Sequence, residues 1–410
     1  MKKIYRLSLL LLVFVAGEGW AQESGISAIL NQIEANNKEL QADQQRITSQ
    51  KLENKSDNTL PDPTVSYAHL WDSDNSGRTV GELVVSQSFE FPTLYISRGR
   101  QNRLMTEALD AQANAFRQQI LLQAQELCLD IILLHRQQML LDERLKNAEE
   151  LARVYAKRLE TGDANILETN KINLELLNVR TEARLNAASL TAALTQLQVL
   201  NGNQPLAPGR PGPDMQTPGA EVLGLTDFPV VPLPADFRPL CAELVAGDAS
   251  LQALQSESQA ARKALSVNRQ GWIPKLELGY KRNSEDGHPL NGVVVGVSLP
   301  LFENRHKVKI AKAEAATLEY QKENAQLAAT ATLWNLYEEA SRLHTSIGEY
   351  EQTLEQQQDL TLLKQALEGG EISLIEYFLE VATVYQSKAN LLQLQNRYQK
   401  AMAEIYKSRL

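Results

Sequence analysis

Three stretches of the chain repeat apolar or small residues at alternating spacings of four and three. Ile120, Ala124, Leu127, Ile131, Leu134, Gln138, Leu141 and Leu145 form the first. Leu336, Ala340, Leu343, Ile347, Tyr350 and Leu354 form the second, and Ala382, Tyr385, Ala389, Leu392, Asn396, Gln399, Ala403 and Tyr406 the third. A period near 3.5 is a coiled-coil seam, and its alanines let helices approach closely. Gln, Asn, Glu and Lys fill the remaining faces, so these rods pack side by side and keep one face wet. The pattern predicts long helices over about 95–160 and about 303–368, each roughly 66 residues or about 100 Å. Return helices over about 166–200 and 374–408 reach only about 50 Å. Each half also begins with a helix, over about 24–57 and 236–269. Two short helices placed end to end match one long one, so the spacing predicts stacking into a pseudo-continuous rod.

Four segments alternate with a period of two instead. Val65, Tyr67, His69 and Trp71 alternate with Thr64, Ser66 and Ala68, and Leu83, Val85, Phe89 and Phe91 with Glu82, Ser86, Ser88 and Glu90. Leu276, Leu278 and Tyr280 alternate with Glu277, Gly279 and Lys281, and Val293, Val295, Val297 and Leu299 with Val294, Gly296 and Ser298. The predicted strands cover 62–71, 80–91, 273–281 and 292–301. About ten residues with one apolar face and one small or polar face is the pattern of a tilted strand between lipid and water. Asp72–Arg78 and Arg282–Pro289 read as polar turns. Soluble hairpins capping a helical bundle would share much of this alternation. Four strands cannot close a barrel that holds water, and open edges within lipid leave backbone groups unpaired. If the strands span, several copies must combine, and three copies supply twelve strands.

The two halves share one plan. Pro63–Tyr67 parallels Pro274–Leu278, Leu83–Phe89 parallels Val293–Leu299, and Leu159–Glu168 parallels Leu367–Glu376. Ordered matches at an offset of about 210 residues predict a duplication. The organisation expected is a leader over 1–21, a first repeat over 22–200 with strand pair 62–91 and a tip near 161–166, a segment over 201–235, and a second repeat over 236–410 with strand pair 273–301 and a tip near 369–374. Nine of the fifteen prolines fall between residues 201 and 239, so that stretch is no long helix. It is a linker or an irregular belt packed on the outside.

Composition narrows the function. The 410 residues carry net charge −9, so no basic surface suggests a nucleic-acid partner. Mean hydropathy is −0.31, and past the leader no apolar run of about 18 residues predicts a spanning helix. Lys2–Arg6, the apolar Leu7–Ala16 and the small Gly19 and Ala21 form a signal-peptide pattern with cleavage before Gln22. No Cys follows that core, so a lipid anchor at a mature N-terminal Cys is not expected. Cys128 and Cys241 make no framework, and Cys128 reads as core filler. His69, His135, His288, His306 and His344 lack paired spacing, so no resident metal and no cofactor are expected. Neither a nucleophilic triad nor a phosphate loop is evident, so the chain does not read as an enzyme.

The signal peptide, duplicated halves, two hairpins and rods of unequal helices together resemble the TolC family of bacterial outer-membrane efflux proteins. The Gly-x-x-x-Ile/Leu-Leu/Ile-Glu turns, Gly162–Glu168 and Gly370–Glu376, are similar to that family's as well, and the compact length and Pro-rich insert look nearer its metal-cation branch. The resemblance implies a mainly α chain with a small β part, forming a homotrimer. A long coiled-coil α-barrel would extend into the periplasm from a shared twelve-stranded β-barrel in the outer membrane of a Gram-negative bacterium. A periplasmic adaptor and an inner-membrane pump would be the partners of a passive exit duct. A duct for a type I protein or peptide secretion system, and a soluble periplasmic scaffold or adaptor, are the competing readings.

The family's turn motif places Gly162, Asp163, Glu168, Gly370, Glu371 and Glu376 at the periplasmic entrance, with Glu380 one helical turn beyond. A ring of carboxylates there would favour cations. Asn165 with Glu168 and Ser373 with Glu376 also fit a capping box, which accounts for both glutamates without a pore. The glycines suit hairpin turns. Family members close with a Tyr and an Arg near the second turn. The matching positions here are Leu367 and Ile372, so a gate must close through other contacts, apolar ones among them.

Overall fold

The computed structural model describes residues 25–71, 79–206, 219–285, 288–356 and 360–410. The expected leader 1–21, the turn Asp72–Arg78 and residues 207–218 of the Pro-rich segment lie outside them. The first half runs α1 (Gly25–Asn36), α2 (Lys38–Ser56), β1 (Thr64–Trp71), β2 (Thr79–Phe89), α3 (Pro92–Thr161) and α4 (Ile166–Leu200). The second runs α5 (Phe237–Gly247), α6 (Ala249–Gln270), β3 (Lys275–Glu285), β4 (His288–Ser298), α7 (Lys307–Gln356), α8 (Leu360–Glu368) and α9 (Leu374–Ile405), and closes on a 3₁₀ turn at Lys407–Arg409. The duplicated helix–strand–strand–long helix–helix order is thus present. No described helix is long and apolar enough to cross a membrane.

One expectation needs correction at the start of each half. The helix expected over 24–57 is two, broken at Asn37, and that over 236–269 breaks at Asp248. Both residues take extended backbone and accept from a later amide, Asn37 from Leu40 and Asp248 from Leu251. Such a cap starts a new helix and ends the old one. The continuation of α4 is therefore α2 alone. Asn186 of α4 reaches the Leu134 carbonyl of α3, while further up α3 Asp110 pairs with Lys51 of α2 and Asn102 bonds the α2 carbonyl of Asn54. With 35 and 19 residues, α4 and α2 cover about 80 Å of the about 105 Å of α3. Helix α1 instead packs against the middle of α3, burying Ile26, Ile29 and Ile33. The second half repeats this: α6 flanks α7 through Ser258 and Glu319 (2.8 Å), and α9 flanks it lower down through Gln395 and Glu351 (3.1 Å).

The second long helix begins a few residues later than expected. It starts at Lys307, after a turn in which His306 takes φ 70°, and is described as α7 and α8 on either side of residues 357–359. The first begins at Pro92, where a missing N–H costs nothing.

The four strands form one antiparallel sheet in the order β1-β2-β3-β4. The β2–β3 ladder, Val80 with Glu285 through Phe89 with Leu276, joins the two halves. The strand ends expected at 62–63, 90–91, 273–274 and 299–301 lie outside the ladder, where prolines stand. Conversely, Arg282–Pro289 is not one polar turn: Arg282 pairs with Asn291 and Glu285 with His288. Polar side chains do not prevent backbone pairing, so their onset does not end the strand. Register aligns Val65, Val85, Tyr280 and Val293 in one apolar row. The opposite face carries Ser66, Glu82, Ser86, Gly279 and Lys281, with a Lys281–Glu82 pair at 2.6 Å.

Among the described residues three cores sit along the helical part. The first gathers α1, mid-α3 and the end of α4 around Leu129, Ile131 and Leu197. The second gathers α5, α7 and α9 around Phe237, Ala340 and Met402. The described part of the Pro-rich segment is a belt across both. Leu223 and Leu225 enter the first core, and Tyr398 and Tyr337 donate to the Val231 and Pro234 carbonyls. Cys128 is fully buried in the first core, and burial pushes its thiol up to about 12. The third core lies at the hairpin tips.

Candidate functional site

Both tips end a helix by the same device. Gly162 and Gly370 take φ 82° and 74°, the left-handed conformation that a side chain disfavours. The next amide then closes the turn, Asp163 onto the Arg158 carbonyl (2.7 Å) and Glu371 onto that of Ala366 (2.8 Å). Each following helix starts with a capping box. The Glu168 carboxylate accepts from the Asn165 amide (2.9 Å) and Glu376 from that of Ser373 (2.8 Å). The Ser373 amide and hydroxyl hold the Glu376 carboxyl below the ordinary glutamate range. Both glutamates therefore cap their helices. Asp163 accepts from the Thr161 hydroxyl (2.7 Å). Asp163, Glu371, Glu376 and Glu380 are exposed, while Glu168 is half-buried.

A shared apolar core brings the two tips to one end of the molecule. Leu151, Tyr155 and Ile172 of the first hairpin meet Leu367, Leu374 and Tyr377 of the second, with Ile372 packed alongside. Leu367 and Ile372 thus occupy that core. Polar contacts flank it: Lys364 pairs with Glu150 (2.7 Å), and Asn147 donates to the Tyr385 hydroxyl (2.9 Å), which also lies 3.5 Å from Glu143. Burial and the Glu143 charge push the Tyr385 phenol up to about 12, so it stays neutral. A cavity of about 390 Å³ opens between the hairpins here, lined by Glu143, Asn147, Lys364, Tyr377 and Lys388.

Sequence reading placed Tyr385 on a helical seam but not in this bridge. Glu150 and Lys364 gave no signal, because each looks like an ordinary charge on a wet helix face. Among the described residues no group of three His, Cys, Asp or Glu side chains stands ready to hold a metal. At this end the fold offers two hairpins fastened by apolar and hydrogen-bonded contacts, and a fringe of carboxylates of which Glu168 and Glu376 are fixed by the caps.

Residues 240–408 match the family model described as outer membrane efflux protein. By sequence, no curated protein matches. Among solved structures, the chain is similar to CusC, whose crystal structures concern transmembrane channel formation, with TM-score 0.76 and 16% identity over 94% of this chain and 92% of that one. It is similar to the outer membrane protein VceC of Vibrio cholerae at TM-score 0.74 and 13% identity, over 94% and 96%. The open MtrE outer membrane channel of Neisseria gonorrhoeae gives TM-score 0.74 and 14% identity, over 94% and 88%. At these identities the likeness establishes the fold.

Proposed function

We propose that this chain is a TolC-like outer-membrane efflux protein and the exit duct of a tripartite efflux pump, a reading supported by the fold throughout and by the family match over residues 240–408. The observation that carries the proposal is the sheet. Its two outer strands, β1 and β4, each have an unpaired edge, and Val65, Tyr67, Val293 and Val295 stand out from it between 66% and 80% exposed. Open edges and a bare apolar face are unfavourable in water and, for the edges, in lipid. Pairing β4 of one copy with β1 of the next removes both edges, and three copies give a closed barrel of twelve strands. Lipid covers the apolar face, and the Glu82–Lys281 face lines the water. The helical rods then form a tube in the periplasm, with the hairpin tips at its entrance.

The duct is passive. It conducts small molecules or ions delivered by a periplasmic adaptor and an inner-membrane pump that meet the tips. Three copies of Glu376 and Glu168 present a carboxylate ring at the entrance, and capping keeps their side chains fixed. Such a ring repels anions and concentrates cations. Fractionation of the producing cell tests the assignment. Heat-modifiable trimers in the outer membrane are expected, and recovery solely as soluble periplasmic protein overturns it.

A further inference from the structure

Where the sheet meets the helices, the charge runs opposite to that of the chain. Residues 92–106, 258–275 and 299–312 hold eleven Lys and Arg against one acid, Glu303, in a protein of net charge −9. Part of this charge turns toward the water face of the sheet. Arg98 pairs with Glu90, Lys275 lies 3.9 Å from Glu90 and 3.8 Å from Glu303, and Lys307 lies 3.6 Å from Glu303. Glu90 and Lys275 continue the alternation that places Glu82 and Lys281 on that face.

The remaining charge faces the other way. At about 3.6 residues per turn, Ile96 and Arg100 come to the side of α3 opposite Arg98, and Lys309 and Lys312 to the side of α7 opposite Lys307. Helix α6, held between α3 and α7 by the Gln112–Glu257 and Ser258–Glu319 bonds, adds Lys263 and Arg269, and Arg305 stands just before α7. Arg100, Lys263, Arg269, Arg305, Lys309 and Lys312 are all exposed, and none has an ion pair among the described residues. Gathered cations without counter-charges repel one another, so this collar favours an anionic cover. Exposed Phe91, Leu299 and Leu301 carry the apolar alternation of β2 and β4 down into it.

We propose that this collar binds the anionic headgroups of phospholipids in the leaflet facing the helical tube. Helix rise puts Arg100 about 12 Å and Lys309 about 3 Å from the start of their helices. A headgroup layer is about 5–7 Å deep, and the long Lys and Arg stems span the remainder. The apolar side chains then sit at the acyl boundary while the cations meet phosphate. That two-part match, continuous with the apolar face of the sheet, favours a lipid surface over a soluble polyanion. The proposal rests on the duct reading, because lipid reaches this level only where the sheet spans the bilayer.

Lipid retention by the full-length protein tests it. The protein is reconstituted into phosphatidylcholine vesicles holding a minor share of phosphatidylglycerol and extracted in mild detergent, and the lipid it keeps is counted by native mass spectrometry. Phosphatidylglycerol should be enriched several-fold over its share in the vesicle. Combining Arg100→Gln, Lys309→Gln and Lys312→Gln should bring retention down to that share. Raising the ionic strength should do the same to the wild-type protein, which decides the matter if the triple variant does not fold. Insertion without enrichment overturns the collar and leaves the duct reading standing. Enrichment that survives the triple substitution or high salt overturns the collar as well. Failure to enter the vesicles at all overturns the duct reading and the collar with it.

Discussion

Asn147 of α3 donates a 2.9 Å hydrogen bond to the hydroxyl of Tyr385 on α9. The bond joins hairpins from different halves of the chain just behind the tips. Tyr385→Phe removes the acceptor and keeps the ring against its neighbours. Loss of about 0.5–1.5 kcal/mol is expected. Looser tips should also raise the open probability in planar bilayers, so single-channel recording on the variant checks both the bond and its role at the entrance.

The joint between α4 and α2 rests on Asn37, which is 3% exposed. Its carboxamide accepts from the Leu40 amide and donates to the Leu200 carbonyl, both at 2.9 Å. A side chain on Gly202 would come within 2.5 Å of the Asn36 carbonyl, so the two helix ends approach closely here, and Asn36 also donates to Asn201 (3.1 Å). Asn37→Ala should cost about 1–3 kcal/mol, measured as a lower midpoint of thermal unfolding.

This joint marks where sequence patterns stopped being informative. The 3.5 period located α3, α7 and α9, because a packed seam must keep its spacing. Ile131, Asn396 and Ala403 are indeed buried. Period two likewise located the strands through Val65, Val85 and Val293. The breaks at Asn37 and Asp248 were hidden, since an Asn or Asp within a polar helix face reads the same whether it caps or faces water. The strand extension through Arg282–Glu285 was hidden because polar residues there signalled a turn. At the site, Gly162, Gly370 and the two capping boxes were legible as local motifs. The Asn147–Tyr385 bridge joins residues 238 apart in sequence, and no local pattern encodes it.

Acid should destabilise the helical part. Arg117 holds Glu34 below the ordinary glutamate value of 4.5. Lys322, Ser258 and Arg262 pull Glu319 down to about 2. A carboxyl lowered by folding contributes stability that is present above its unfolded value and lost as pH falls through its folded one. The melting midpoint should therefore fall as pH drops from about 5 toward about 2. Glu319→Gln should fall less steeply over that interval, and an identical slope would contradict the assignment.

The two faces of the sheet should respond differently to charge. Val295→Arg places a cation on the lipid face and should cost about 2–4 kcal/mol near the bilayer centre. The trimer should then be lost from outer-membrane fractions. Ala68→Lys lies on the other face, paired with Glu82, and should assemble normally. Immunodetection of unheated membrane samples separates the two outcomes.

Planar-bilayer conductance of the purified full-length protein tests the duct most directly. Reconstituted trimers should give discrete, uniform current steps that favour cations. Glu376→Gln should reduce that preference while leaving the trimers intact. Inserted trimers that pass no current would contradict the account.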